Sequence, residues 1–315
     1  MKKLCFLILG LMFCLGAKAQ DPYFSQPLSN PIYLNPAFAG YDGCPTIRTS
    51  YRNQESWRSG TFHTVNFSYD QMVGERHGLY LNYQYNNEAE VISTQELSFG
   101  YAPAFWVANK QVMLSPAIEI GWRNRTLHHS KLTENNIQNL LPYIDYYSIW
   151  PLPTEDRTRN FVDFSAGALI TFKGLVYGIA VHHLSQPDQG FFVGMRLPLK
   201  INTHINYTFQ VTEKFRIAPS MMYQHQQDYE YLISSLSFSA YGARAGLALR
   251  QAFNNPDALI FQFGYNIKGF MVGYSFDATV SSLTNNTVGS HEVSLGYIFN
   301  CKKKDLRKGV SQIAF

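Results

Sequence analysis

The chain has 315 residues, and only 15% of them are charged, with 26 Lys and Arg against 22 Asp and Glu. Loss of Lys2, Lys3 and Lys18 with a cleaved leader would lower the formal net charge from +4 to about +1, which argues against a nucleic-acid-binding surface. The aromatic content of 15%, dominated by 23 Phe and 21 Tyr, is typical instead of rings that lie at a membrane interface.

The N-terminus predicts a secretory signal peptide. A basic start, Lys2-Lys3, precedes the apolar run Leu4–Leu15 and the cleavage pattern Ala17-Lys18-Ala19. A lipoprotein anchor at Cys14 is the alternative, but the residue before it is bulky where such signals carry a small one. We therefore expect residues 1–19 to be removed, and we find no later run of about 18 apolar residues that would span a membrane as a helix.

The next segment, Asp21–Gly43, is rich in Pro, Asn and Tyr and has no regular hydrophobic period. We call it the lead-in. Its composition predicts an extended segment broken by turns, and we assign residues 20–45 to a periplasmic N-terminal region.

From Thr46 onward the hydrophobic pattern has a period of two, as in Ile201–Val211, where apolar and polar side chains alternate. This segment is longer than an ordinary strand and matches the roughly 9–11 residues of a strand that crosses an outer membrane. The pattern predicts an all-β protein, a transmembrane antiparallel barrel of about 14 strands over residues 46–300. The predicted strands are Thr46–Gln54, Thr61–Met72, His77–Asn87, Ser93–Val107, Gln111–Leu127, Phe161–Lys173, Leu175–Leu184, Leu199–Val211, Phe215–Gln227, Tyr229–Tyr241, Ala243–Phe253, Ala258–Lys268, Gly269–Val280 and His291–Asn300.

The connections between these strands sort by parity. The even-to-odd connections are short, whereas the odd-to-even set contains His128–Asn160, Ser185–Pro198 and Ser281–Ser290. Outer-membrane barrels have short periplasmic turns and longer extracellular loops. This parity predicts that both termini are periplasmic, including the basic tail 301–315.

Two cysteines remain after the leader, Cys44 and Cys301, and they flank the first and last predicted strands. If the barrel closes, these strands pair and both thiols lie at one rim in an oxidising compartment. We predict a Cys44–Cys301 disulfide. Two unpaired thiols are the alternative, because the stagger of a barrel could separate them.

A barrel of this size leaves a lumen that its own side chains do not fill. Water, a folded-in segment or a partner must occupy it. The long loop His128–Asn160 carries the apolar run 140–147, so we expect this loop to plug the barrel or to grip another protein.

Catalytic and cofactor signals are weak. A hydrolase could use Ser165, Ser185 or Ser237 with His182 or His183 as a base, but no spacing selects a set and no G-x-S-x-G motif occurs. Neither a phosphate-binding glycine motif nor a usual metal-ligand spacing is present. We therefore expect no catalytic residue, no cofactor and no metal.

Several blocks of the sequence form a recognisable signature. They are Asp21-Pro22-Tyr23-Phe24-Ser25-Gln26, Asn30-Pro31-Ile32-Tyr33-Leu34-Asn35-Pro36-Ala37-Phe38-Ala39-Gly40, Tyr51-Arg52-Asn53-Gln54 with Trp57, Leu184-Ser185-Gln186-Pro187, and His291-Glu292-Val293-Ser294-Leu295-Gly296-Tyr297. These blocks resemble the PorP/SprF family of type IX secretion membrane proteins. One departure is Glu55-Ser56, which is inserted where the family runs directly from Gln to Trp.

The resemblance implies an outer-membrane barrel, in contact with membrane lipid, that works with the secretion and gliding machinery. It implies binding of a periplasmic ring lipoprotein and help in exporting or anchoring secreted surface adhesins. A general porin-like passive channel is the alternative. Prolines keep the lead-in extended and its aromatic rings can act as anchors, so we expect it either to dock the ring subunit or to seal the barrel. The candidate partner-binding residues are Tyr23, Phe24, Tyr33, Asn35, Pro36 and Phe38.

Overall fold

The structure, a computed structural model, describes residues 21–54, 62–109, 111–132, 154–191, 194–252, 255–280 and 289–301. The predicted signal peptide, most of the loop His128–Asn160 and the basic tail beyond Cys301 lie outside the described residues. Within the described ranges, no helix is both long and apolar enough to cross a lipid bilayer.

Fourteen strands account for nearly all the regular structure of the described residues. β4 continues as Phe105–Val107, and β8 continues as Phe209–Gln210, each after a single intervening residue. The strands are β1 Thr46–Gln54, β2 Phe62–Val73, β3 His77–Glu88, β4 Ile92–Pro103, β5 Val112–Leu127, β6 Arg157–Phe172, β7 Leu175–His182, β8 Lys200–Tyr207, β9 Phe215–Gln226, β10 Tyr229–Ala240, β11 Ala243–Ala252, β12 Asn255–Ile267, β13 Phe270–Thr279 and β14 Ser290–Ile298.

Each strand pairs antiparallel with its neighbours in sequence order, and the sheet closes on itself. The closure joins β1 to β14, from the pair Thr46↔Ile298 to the pair Gln54↔Ser290. Because a closed sheet has no free edge, every strand has two partners. The predicted antiparallel barrel of about 14 strands is confirmed.

The two faces of the strands follow the sequence alternation. In β8, Asn202 and His204 are buried while Ile205 is exposed, so polar residues line the lumen and apolar residues face outward. The pattern is ambiguous by sequence at Met221 and Met222, where two apolar residues adjoin. The structure turns Met221 outward, with 48% of its surface exposed, and buries Met222 at 5%.

The two rims differ in their connections. At one rim the hairpins are tight: the residue pairs 173–174, 241–242 and 268–269 each place a non-glycine and then a glycine at positive φ. Two consecutive positive φ values produce a turn whose twist matches that of the strands. We call this the short-turn rim. The opposite rim carries the connections 128–156 and 183–199, and we call it the long-loop rim.

The lead-in runs through the lumen, and it is broken by turns as predicted. The periplasmic location of residues 20–45 stays a prediction. The lead-in contains three short helical turns, at Pro27–Ser29, Pro31–Leu34 and Pro36–Phe38. Each begins with a proline, whose fixed φ suits the first position of a helical turn and whose missing N–H costs nothing there. The lead-in is therefore compact enough to fold inside the barrel.

The two ends of the lead-in lie at opposite rims. Cys44 adjoins the start of β1 at the short-turn rim, whereas Asp21 lies beside Lys200 and Gln226, at the long-loop ends of β8 and β9. The polar lumen wall binds the lead-in along its length instead of leaving it in solvent. The periplasmic location of both termini stays a prediction.

Cys44 and Cys301 are joined by a disulfide, with their Cα atoms 5.7 Å apart. The bond ties the base of the lead-in to the end of β14 at the short-turn rim.

This bond closes a loop with a sequence separation of 257 residues. Heat-denatured protein is therefore expected to migrate faster in a denaturing gel without reductant than with it, because the looped chain is more compact. The double variant Cys44→Ser/Cys301→Ser is the control and should migrate identically in both conditions. Full alkylation of both thiols in the untreated wild-type protein would contradict the expected bond.

Candidate functional site, the occupied lumen

We call Pro31–Gly43 the base of the lead-in. Its residue Asn35 contacts the barrel wall directly. The Asn35 side-chain amide donates hydrogen bonds to the backbone oxygens of Ala168 on β6 (3.2 Å) and Ile179 on β7 (3.1 Å). Gly167 and Gly178 face this side chain, and a Cβ atom at Gly167 would lie 2.2 Å from the Asn35 Oδ1 atom. These glycines make room for the lead-in in the wall.

Apolar side chains of the base pack against apolar residues of the wall. Phe38 is 1% exposed and stacks on the imidazole of His204, with ring centroids 5.2 Å apart. Burial of such side chains contributes about 1.5–3 kcal/mol each, so this cluster accounts for much of the binding of the lead-in. The buried cluster includes Ile32, Leu34, Ala37, Phe38, Ala39 and Tyr41 of the lead-in with Tyr80, Ala102, Met113, Leu169 and Val176 of the wall.

Gly78 allows the closest approach between the base and the wall. A Cβ atom there would lie 2.1 Å from the backbone oxygen of Ala39 and 2.9 Å from that of Ala102. We expect Gly78→Ala to reduce the free energy of unfolding by about 1–3 kcal/mol, because neither backbone atom can move away freely. The midpoint of urea unfolding measures this.

The matched control for that variant is Gly121→Ala. Gly121 also faces the lumen, but the nearest atom to an added Cβ is the flexible Glu96 Oε1 at 3.3 Å. The control should unfold near the wild-type midpoint. Equal midpoints for both variants would contradict a close packing of the lead-in against β3.

The tip of the lead-in, Asp21–Asn30, is held mainly by wall side chains that bind its backbone. The Ser25 and Gln26 N–H groups donate to the Glu292 carboxylate at 2.6 and 3.3 Å. The Gln262 side-chain amide donates to the Ser25 backbone oxygen at 3.0 Å. These contacts satisfy backbone groups that water would otherwise have to satisfy.

The Tyr23 ring lies beside two guanidinium groups. The Cζ atoms of Arg52 and Arg250 are each 4.6 Å from its centroid, a distance at which cations are attracted to an aromatic face. Both guanidinium groups bind the Asp277 carboxylate, at 3.0 and 2.7 Å. Glu292 lies 3.6 Å from Arg52, so the two cations are neutralised by wall carboxylates.

Asp21 is the charged residue at the far end of the tip. Its carboxylate lies 2.7 Å from the Lys200 ammonium, 2.6 Å from the His183 Nε2 atom and 3.6 Å from the Arg123 guanidinium. Burial raises the pKa of the Asp21 carboxyl, but Lys200, His183 and Arg123 outweigh it and hold the pKa well below its usual value. Asp21 is therefore a buried carboxylate at neutral pH.

The six candidate partner-binding residues all lie within the lead-in inside the barrel. Phe24, Asn35, Pro36 and Phe38 are buried, whereas Tyr23 and Tyr33 are half-buried. Tyr33 hydrogen-bonds the Pro22 backbone oxygen, and its ring lies 4.9 Å from the Lys200 Nζ atom. In this conformation their contacts are with the barrel and with one another.

The serine and histidine side chains considered for hydrolysis do not form a nucleophile–base pair. The Ser185 hydroxyl donates to the Asp163 carboxylate at 2.9 Å, and His183 binds the other oxygen of the same carboxylate at 2.5 Å. His182 lies 3.2 Å from the Asn202 side chain. Among the described residues, no group of three His, Cys, Asp or Glu side chains is arranged to hold a metal ion.

Sequence reasoning missed the wall residues that hold the lead-in. Glu292, Asp277, Arg52 and Arg250 stand at inward positions of strands that otherwise alternate regularly. The sequence signal was the presence of several charged residues at inward positions of different strands. Because buried charges require partners, such residues indicate that something else lies in the lumen.

The closed strand order and the apolar outer face define the class of this protein: an outer-membrane β-barrel, whose lumen holds the lead-in. The sequence profile described as "Type IX secretion system membrane protein PorP/SprF" matches residues 16–297. This match covers most of the chain, so the chain belongs to the PorP/SprF family.

Solved structures support the fold alone. The Ralstonia pickettii toluene transporter TbuX is 10% identical with a TM-score of 0.52, and the alignment covers 90% of this chain and 96% of that one. The CymD monoaromatic hydrocarbon channel is 13% identical with a TM-score of 0.50, over 91% and 95% of the two chains. Among curated proteins, none matches the sequence significantly.

Proposed function

We propose that this protein is a non-enzymatic outer-membrane component of the type IX secretion and gliding machinery. It binds a periplasmic ring lipoprotein and helps to export or anchor secreted surface adhesins. The observation that carries this proposal is the family match over residues 16–297, which takes in both the lead-in and the barrel. The lipid-facing surface is apolar, with residues such as Phe99, Ile118 and Leu247 exposed, as an outer-membrane location requires.

The proposed orientation places the short-turn rim in the periplasm and the long-loop rim at the cell surface. On this orientation the Cys44–Cys301 disulfide faces the periplasm. Asp21 then lies toward the cell surface. A ring lipoprotein approaches the short-turn rim, where the base of the lead-in leaves the barrel.

A passive channel is the second candidate, because the barrel resembles transporters and channels in fold. The lead-in supports the scaffold role over this one, since it fills the lumen between the two rims. Hydrogen bonds from Asn35, Ser25 and Asp21 to different strands hold it there. A lumen closed in this way does not pass solutes freely.

The experiment that tests the proposal is affinity capture of a tagged copy from the outer membranes of the native cell. Recovery of a periplasmic lipoprotein or a secreted adhesin in comparable amounts is the expected result. Recovery of the barrel alone, under conditions that keep other membrane complexes intact, would contradict it.

The docking role proposed for the six lead-in residues has its own test. Tyr33→Ala/Phe38→Ala should weaken capture of the ring lipoprotein if these rings contact it outside the lumen. The variant must first be shown to keep the barrel folded, by its resistance to unfolding in cold detergent. Unchanged capture would refute docking through these residues and leave them a sealing role.

A further inference from the structure

The two halves of the lead-in are bound to the wall in different ways. The base packs its apolar side chains into the buried cluster and ends at the disulfide of Cys44. Wall glycines such as Gly78 and Gly167 approach it so closely that an added Cβ would clash. The base is thus fixed by shape, apolar burial and a covalent bond.

The tip packs less completely against the wall than the base does. Two small cavities border it, one of about 30 Å³ beside Asp21 and Pro22 and one of about 10 Å³ beside Gln26 and Leu28. Among the described residues, both amide atoms of the buried Asn30 side chain lack a hydrogen-bond partner. Unfilled space and unpaired polar groups each reduce the stability of a contact. Because the disulfide and the apolar cluster hold the base, the tip is the half that can be exchanged while the base stays in place.

The wall groups that face the tip are held by other wall groups. Asp277 binds both Arg52 and Arg250, and Arg250 also binds Asp257 at 2.6 Å. Around Asp21, the Arg123 guanidinium binds the Glu96 carboxylate at 2.6 Å. These pairs keep the cationic groups positioned when the tip is absent, so the site is organised in advance of its ligand.

The ligand chemistry can be read from what the tip supplies. Asp21 supplies a carboxylate to Lys200, His183 and Arg123, and two positions later Tyr23 supplies a flat ring to the paired guanidinium groups. Beyond Tyr23 the wall binds backbone N–H and C=O groups, which every polypeptide has. A second polypeptide with this spacing would satisfy the same groups.

We propose that the long-loop half of the lumen is a peptide-binding site, at which a segment of another polypeptide, carrying a carboxylate two positions before a tyrosine, replaces the lead-in tip. The inference rests on the proposed function, because the exported or anchored polypeptide is the partner that would supply this segment. The base and its disulfide stay in place during the exchange. The tip acts as an internal competitor for the site.

The test uses the full barrel with residues 21–26 deleted, in detergent, and a fluorescent peptide of sequence Asp-Pro-Tyr-Phe-Ser-Gln-Pro-Leu. Anisotropy titration is expected to give saturable binding at least about tenfold tighter than to the intact protein. Peptides with Asn for the Asp or Leu for the Tyr are matched controls and should bind about tenfold more weakly.

A second variant keeps the test informative if the deletion variant fails to fold. Tyr23→Ser leaves the wall and the chain length unchanged, and it removes the ring that contacts Arg52 and Arg250. This full-length variant should also bind the peptide more tightly than the wild type does. Equal binding of the three peptides, or no saturable binding to either folded variant, would overturn the proposal.

The outcome is separable from that of the proposed function. Capture of the ring lipoprotein is measured on the same deletion variant. Capture without peptide binding would overturn the peptide site alone, and peptide binding without capture of any machinery partner would support the site while contradicting the function. The intact protein could also form dimers in which each copy inserts its tip into the other. Such dimers would identify a second copy of this chain as the occupant of the site, and they would overturn the proposal that an exported polypeptide occupies it.

Discussion

Removal of the lead-in is expected to turn a closed barrel into a conducting one. Fourteen strands enclose a lumen too wide for wall side chains to fill, and the structure fills it with residues 21–43. The inward face is polar, with Asn66, Asn82 and Asn202 among its residues, so water would enter once the lead-in is absent. Ion flux through a planar bilayer should rise at least about tenfold over that of the intact protein.

The variant for this experiment lacks residues 22–39 and keeps Cys44, so that the disulfide to Cys301 still forms. Heat-dependent gel mobility shows whether the barrel is folded. The shorter deletion of residues 22–26 is the matched control, because it leaves the base in place and should conduct far less. If the intact protein conducts as much as the long deletion does, the lead-in does not close the lumen.

The second large effect is a loss of stability, which we expect when Asp277 is replaced. Its carboxylate is shared by Arg52 and Arg250, and all three side chains are at most 5% exposed. Asp277→Ala leaves both guanidinium groups buried with fewer anions, and breaking a buried pair in this way costs about 3–5 kcal/mol. We expect a loss of that order in the free energy of unfolding, measured by urea titration in lipid or detergent.

Glu90→Gln provides the comparison for Asp277→Ala. Glu90 pairs with Lys131 at 3.5 Å, but both side chains are 53% exposed, and exposed pairs contribute less than about 1 kcal/mol. The unfolding midpoint of this variant should stay near that of the wild type. Comparable losses for both variants would contradict a special role for the Asp277 cluster in holding the wall and the tip.

The sequence was sufficient to predict the barrel, because strand alternation is a local property. A strand that alternates as Ile201–Val211 does places its apolar side chains toward lipid and its polar side chains toward the lumen. The tight turns were predictable for the same reason, since Lys173-Gly174 and Lys268-Gly269 can adopt the positive φ values that a two-residue hairpin requires. Where both faces carry apolar residues, as at Met221–Met222, alternation alone could not assign the faces.

The path of the lead-in could not be predicted in the same way. Between Asp21 and Tyr41 it carries one charged residue and several aromatic rings, a composition that suits a docking segment as well as a plug. Its position depends on contacts with strands more than 100 residues away, such as those from Asn35 to Ala168 and from Ser25 to Glu292. No local pattern encodes these pairings. The inward charges and inward glycines of the strands were the indirect signal.

Amide hydrogen exchange of the purified protein, read by mass spectrometry, tests most directly that the lead-in occupies the lumen. The N–H groups of Ser25, Asn35, Phe38 and Gly40 are hydrogen-bonded in the barrel, so peptides covering residues 24–40 should exchange as slowly as those of the strands. Exchange of this segment within seconds, alongside slow exchange of the strands, would show a lead-in free in solvent and would contradict the account.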